Sequence, residues 1–132
     1  MAAARLDHVN IQTVRLAETV DFYTKVLELE AIDPPPPLDP ALVQWVKGSD
    51  GQAIFHLSSP GSLGLAANFG NDTGPVHHVA LDCDGHDTMI ARLDRLGIAH
   101  RDNHVTAIDL KQIFVTDPNG VLLELNYRQG NH

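Results

Sequence analysis

One cysteine, one tryptophan and two tyrosines are all that 132 residues carry of those types, and no long uninterrupted apolar run occurs. A single cysteine, Cys83, rules out an internal disulfide framework, and its place in the apolar segment VALDC suits a buried, inert structural thiol. No stretch approaches the roughly 20 apolar residues that span a bilayer, and polar residues interrupt the opening MAAARLDHVN before a signal-peptide core could form. A membrane partner is therefore not expected, and the expected location is the cytoplasm. Basic residues are scarce too: 9 Lys and Arg stand against 17 Asp and Glu, a formal net charge of −8. That balance argues against nucleic acid, whose binding relies on clustered cations. It also disfavours a strongly cationic pocket for phosphonate or coenzyme A substrates, unless a local cluster such as Arg5, Lys111 and Arg128 forms.

What the chain does have is a globular composition, with 43% hydrophobic and 20% charged residues, enough for one domain over residues 1–132. It also has eight histidines, the commonest metal ligand and a usual acid/base group near neutral pH. Three of them, His86, His100 and His132, acquire no functional role and are expected at the surface.

The sequence repeats itself. A shift of 70 residues lays LDHVNI (6–11) on VHHVAL (76–81) and matches His8 to His78. A shift of 68 lays QWVKGSDGQAIFHL (44–57) on QIFVTDPNGVLLEL (112–125), so that His56 falls on Glu124. Each half reads as strand, helix, then strands. The expected elements are strands at about 5–13, 29–33, 42–47 and 52–58 with a helix at 16–28, then strands at 76–83, 98–101, 109–116 and 121–127 with a helix at 86–96. Module 1 covers about 1–60, a Gly- and Asn-rich connecting loop covers 61–74, and module 2 covers about 75–130. Pro34 to Pro37 reads as a stiff loop between strands.

Side chains alternate along a strand, so His8, Asn10 and Gln12 oppose Val9 and Ile11, and His78 opposes Val79 and Leu81. His56 opposes Phe55 and Leu57, and Glu124 opposes Leu123 and Leu125. All four thus fall on the face away from the helix-packing side chains. A lone strand histidine is as a rule structural or superficial. Here two candidate donors sit on equivalent first strands and two on equivalent last strands, and a carboxylate set among VLL and LNY is costly to bury unless a cation meets it.

The segments LDHVNI, DFYTKVLEL, HHVAL and DPNGVLLELNYR together resemble the vicinal-oxygen-chelate superfamily of glyoxalases, bleomycin-resistance proteins and extradiol dioxygenases, over nearly the whole chain. The resemblance implies an α+β fold of two βαβββ modules forming an eight-stranded half-open barrel, and a homodimer as the common assembly. It implies one divalent metal ion (Fe, Mn, Ni or Zn) on His8, His56, His78 and Glu124. His77 is the rival of His78, which is preferred because it matches His8. Lactoylglutathione-lyase-like isomerase or lyase chemistry on a small molecule with vicinal oxygens is preferred, with Glu124 as the base and His56 as a second catalytic residue. Where lactoylglutathione lyases carry a glutamate, this chain has His56. Extradiol ring cleavage is the alternative, with His8, His78 and Glu124 as ligands and His56 or His104 as acid/base; a metal-free drug-binding protein is the second.

Overall fold

The structure, a computed structural model, describes residues 4–63 and 73–128. It divides into two compact units, Met1–Phe69 and Gly70–His132. Most of the expected connecting loop, and His132, lie outside the described residues.

In the first unit the order is β1 (Val9–Gln12), a short helix α1 (Leu16–Asp21) that runs on as a wider π turn (Phe22–Val26), β2 (Glu30–Ile32), β3 (Val43–Lys47) and β4 (Ala53–Ser58). The four strands form one mixed sheet in the order β1-β4-β3-β2, with β1 parallel to β4 and the other pairs antiparallel. One sheet face is apolar because Ile11, Val46, Phe55 and Leu57 alternate onto it, and these are buried with Phe22, Tyr23 and Val26. In the π turn Leu27 N–H donates to the Phe22 carbonyl, a longer spacing than the helix before it. The helical pattern expected to run on evenly to residue 28 is modified there.

The second unit repeats this plan with β5 (Val79–Asp82), α2 (His86–Leu96), β6 (His100–Val105), β7 (Leu110–Thr116) and β8 (Leu122–Tyr127), in the order β5-β8-β7-β6. Helix α2 stops at Gly97, whose left-handed φ of 69° lets Ile98 N–H reach the Leu93 carbonyl. Met89 and Leu93 of α2 are buried together with Ile113, Val115, Leu123, Leu125 and Tyr127 of the sheet. The fold is α+β, with two βαβββ modules, as expected. None of the helices is long and apolar enough to cross a membrane among the described residues.

The repeat is visible in atomic detail. Val9 pairs with Phe55 and Asn10 with His56, just as Val79 pairs with Leu123 and Ala80 with Glu124. The turns before β4 and β8 each carry an aspartate that accepts backbone N–H groups, Asp50 from Gln52 and Asp117 from Asn119 and Val121. The 68-residue shift needs one correction. In β4, Phe55 pairs with Val46 and Ala53 with Lys47, leaving Ile54 as a bulge that the second unit lacks. The extra residue puts Trp45, not Val46, at the position of Phe114, and Gln44 on the helix-packing face rather than at the position of Gln112.

Two sequence expectations fail. Strands β1 and β5 begin at Val9 and Val79, so His8 and His78 each stand one residue before a strand. His86 is not at the surface: it is 6% exposed, its Nε2 lies 2.9 Å from Asp102 Oδ1, its Nδ1 lies 2.9 Å from Asp87 Oδ1, and it packs edge-on to Tyr127. Its position at the start of α2 turns it under the helix. Burial pushes the imidazole pKa down, but the hydrogen bonds and charges of Asp87 and Asp102 outweigh that and raise it. A raised folded pKa contributes stability that is complete below the unfolded value of about 6.5 and is lost as pH rises through the folded value. The gap in melting temperature between the native chain and His86→Gln is therefore expected to be widest at pH 5.5 and to narrow above neutrality; a gap constant with pH would contradict the charged pairing.

Cys83 is half-buried, and burial raises its thiol pKa to about 11. Its thiol is expected to react with a disulfide reagent at pH 7.5 far more slowly in the folded protein than in denaturant; equal rates would contradict this.

Candidate metal centre

In each unit, residues paired directly across neighbouring strands share a face. In the first, Trp45 pairs with His56 across β3 and β4, and Ser58 with Val43, so these side chains lie away from α1. His56 is held between two rings: Trp45 stacks on it at 4.1 Å and 7°, and His8 stacks on it at 3.7 Å and 13°. His8 Nδ1 lies 2.6 Å from Asp7 Oδ2. With a carboxylate as partner, Nδ1 carries the proton and Nε2 keeps its lone pair, the arrangement usual for a metal-binding histidine. The hydrogen bond from His8 holds the exposed Asp7 carboxyl below its ordinary pKa. Burial, then the neighbouring His8, pushes the His56 pKa down, which keeps that imidazole neutral and able to ligate.

The second unit builds its pair differently. His78 Nε2 lies 3.6 Å from Glu124 Oε1, with side chains 37% and 16% exposed. His77 is exposed, and its Nδ1 is 2.9 Å from His78 Nδ1.

A row of amides, which the sequence had not singled out, fixes the other carboxylate oxygen. Asn126 Nδ2 donates to Glu124 Oε2 at 2.9 Å, Gln112 Nε2 donates to Asn126 Oδ1 at 3.2 Å, and Asn103 Nδ2 donates to Gln112 Oε1 at 2.9 Å. A carboxylate can only accept, so it sets the direction of the whole row. The register places these residues there, since Asn103, Gln112 and Asn126 are direct neighbours across β6, β7 and β8. The signal available in sequence was weak: one amide side chain in each of β6, β7 and β8.

Among the described residues no lysine or arginine pairs with Glu124, and no three histidine, cysteine, aspartate or glutamate side chains gather as a cluster. The donors come as pairs, His8 with His56 in one unit and His78 with Glu124 in the other. Imidazole nitrogens and a carboxylate oxygen are donors that Fe, Mn, Ni or Zn accepts, and in the second unit a half-buried carboxylate without a fixed cation is suited to receive one. The donor types of each pair therefore suit a divalent ion.

The remaining histidines lie elsewhere. His104 is on the face of β6 opposite Asn103, bound to Asp109 at 2.8 Å, which removes it from the side of Glu124 and corrects its suggested acid/base role. His100 is half-buried against the Ile98 carbonyl and Asp94. The cationic cluster does not form in the second unit either: Arg128 is paired with Asp82 at 2.9 Å, and Lys111 lies on the opposite face from Glu124.

Residues 5–125 match the family model of the Glyoxalase/Bleomycin resistance protein/Dioxygenase superfamily. The chain belongs to this superfamily. Among solved structures, it is similar to a glyoxalase/dioxygenase from Nostoc punctiforme, with TM-score 0.74 and 18% identity over 94% of this chain and 90% of that one. It is also similar to a lactoylglutathione lyase from Agrobacterium tumefaciens, with TM-score 0.68 and 16% identity over 96% and 95%. A glyoxalase/bleomycin resistance protein/dioxygenase from Nocardioides gives TM-score 0.70 and 19% identity over 97% and 85%. At such identities the likeness is one of fold. No curated protein matches the sequence. His8 and His78 directly precede the first strand of each module, and His56 and Glu124 stand on the last.

Proposed function

We propose that this glyoxalase-superfamily chain is a metal-dependent enzyme acting on a small molecule with two neighbouring oxygens, in which His8, His56, His78 and Glu124 hold one divalent ion. The observation that carries the reading is Glu124: a half-buried carboxylate, anchored on one oxygen by Asn126, faces His78 with the other and has no fixed cation beside it. A divalent ion held by these residues supplies Lewis acidity toward vicinal substrate oxygens.

Isomerase or lyase chemistry is the preferred reaction. Glu124 then accepts a proton from the substrate carbon on Oε1, the oxygen not tied to Asn126, and returns it to the neighbouring position. The Asn126 amide stays on Oε2 and holds the carboxylate in place between the two transfers. His56, kept neutral and clamped between Trp45 and His8, is the second group able to carry a proton. In the ring-cleaving alternative, Glu124 remains a ligand and His56 alone serves as acid/base.

The test is activity of protein loaded separately with Ni, Zn and Fe(II). The glutathione hemithioacetal of methylglyoxal probes isomerisation, and catechol probes ring cleavage. Turnover of the hemithioacetal by the Ni or Zn form, lost in Glu124→Gln, is the expected result. Ring cleavage by the Fe(II) form alone would replace the isomerase reading with the oxygenase one. Metal uptake without turnover of either would leave a ligand-binding protein.

A further inference from the structure

We infer that the substrate carries an anionic group, a carboxylate in the first instance, and that Arg101 binds it. This rests on the metal-centre reading above and adds the substrate's charge to it.

Across three neighbouring strands, Glu124 of β8 pairs with Phe114 of β7, and Phe114 pairs with Arg101 of β6. Directly paired residues share a face, so all three stand on the side away from α2. The Arg101 guanidinium carbon lies 4.7 Å from the centre of the Phe114 ring. That contact pre-orients a planar, always-charged fork while leaving its N–H donors free. Among the described residues Arg101 has no carboxylate partner. The other arginine on this face, Arg128, is already neutralised by Asp82.

The row thus holds a cation and an anion of opposite sign, one strand apart on either side of an aromatic ring, and neither neutralises the other. In a chain with nearly twice as many acidic as basic residues, an arginine left without a carboxylate on the face of the candidate ligands is conspicuous. Phe114 is what keeps the two apart, because its side chain occupies the position between them. Charges held so near and left separate suit two external partners: a cation for Glu124, and an anion for Arg101. A substrate that chelates the ion through two oxygens and ends in a carboxylate supplies the second. Strand spacing of roughly 4.8 Å puts the two backbone positions about 10 Å apart, within the span of a small aromatic or aliphatic acid once both side chains reach inward.

The experiment uses the full chain loaded with Co(II), whose visible absorption reports ligand exchange, titrated with 3,4-dihydroxybenzoate and with the uncharged 3,4-dihydroxybenzamide. Both probes offer the same vicinal oxygens and differ in the charge. The native protein is expected to bind the acid about tenfold more tightly than the amide, a ratio that one well-placed ion pair supports. In Arg101→Gln the ratio should fall to near one with amide affinity unchanged, and Arg101→Lys should recover only part of it. Arg101 is exposed, so its loss leaves the core intact. Equal affinity of the two probes in the native protein, or a preference that survives in Arg101→Gln, would overturn the inference and leave the metal centre standing. Failure to take up Co(II) at all would overturn the metal-centre reading, and this inference with it.

Discussion

Replacing Glu124 by alanine is expected to weaken binding of a divalent ion at least ~100-fold, beyond the range seen when only a residue orienting a ligand is removed. The same substitution should leave the metal-free protein as stable as before, or more so. The reason is the carboxylate's position: it is 16% exposed, and its neighbours are an amide and an imidazole rather than a lysine or arginine. Such a group is costly to hold without a cation, so removing it relieves the apoprotein even as it destroys the site. Melting curves recorded with and without added metal separate the two effects. The native chain should gain stability as the metal rises above its dissociation constant, by about 2.7 kcal/mol at a hundredfold excess, and Glu124→Ala should gain no more than about 0.4 kcal/mol at the same metal concentration. A metal-induced shift that persists in Glu124→Ala would remove the residue from the site. A large loss of apoprotein stability would mean that Glu124 is structural.

The second large effect concerns the amide row. Asn126 is 7% exposed and donates directly to Glu124 Oε2, so Asn126→Ala frees the carboxylate to rotate and leaves the Gln112 amide without its acceptor. The expected cost is a 10–100-fold loss of metal affinity. Asn126→Asp should be no better, because a second carboxylate at that place cannot donate to the first. The effect should fade along the row. Gln112→Ala removes the support of Asn126 and is expected to cost less, and Asn103→Ala, at the exposed end, least. Metal affinities of the three alanine variants, measured beside their melting temperatures, test the gradient; losses equal at all three positions would contradict a chain of hydrogen bonds ending at Glu124.

Much of this architecture could be read from the residues. The repeat that placed His8 on His78 and His56 on Glu124 corresponds to real strand pairs, because an apolar alternation under a helix fixes register, and a slip of one residue would turn every side chain over. The superfamily could be recognised for the same reason. What escaped were features that depend on one-residue events or on partners distant in sequence. The bulge at Ile54 decides that Trp45, rather than Val46 as the 68-residue shift has it, faces His56, and bulges leave little trace in composition. The amide row joins residues 103, 112, 126 and 124, which become neighbours only when three strands pair. His86 looked superficial because it starts a helix next to Asp87; that it turns inward is settled by Asp102, on a strand 16 residues away. His8 and His78 were assigned to strands that in fact begin one residue later, a shift that leaves their rings in contact with His56 and near Glu124 respectively.

The most direct measurement is elemental analysis of the full chain, purified without chelator or metal-affinity resin and then reconstituted with Ni, Zn or Fe(II), beside His8→Ala, His56→Ala, His78→Ala and Glu124→Ala. One divalent ion per chain in the native protein, with a loss of metal in the variants of both donor pairs, is the predicted result. No uptake by the native protein under any of these conditions, or uptake that survives in all four variants, would contradict a metal centre built from these residues.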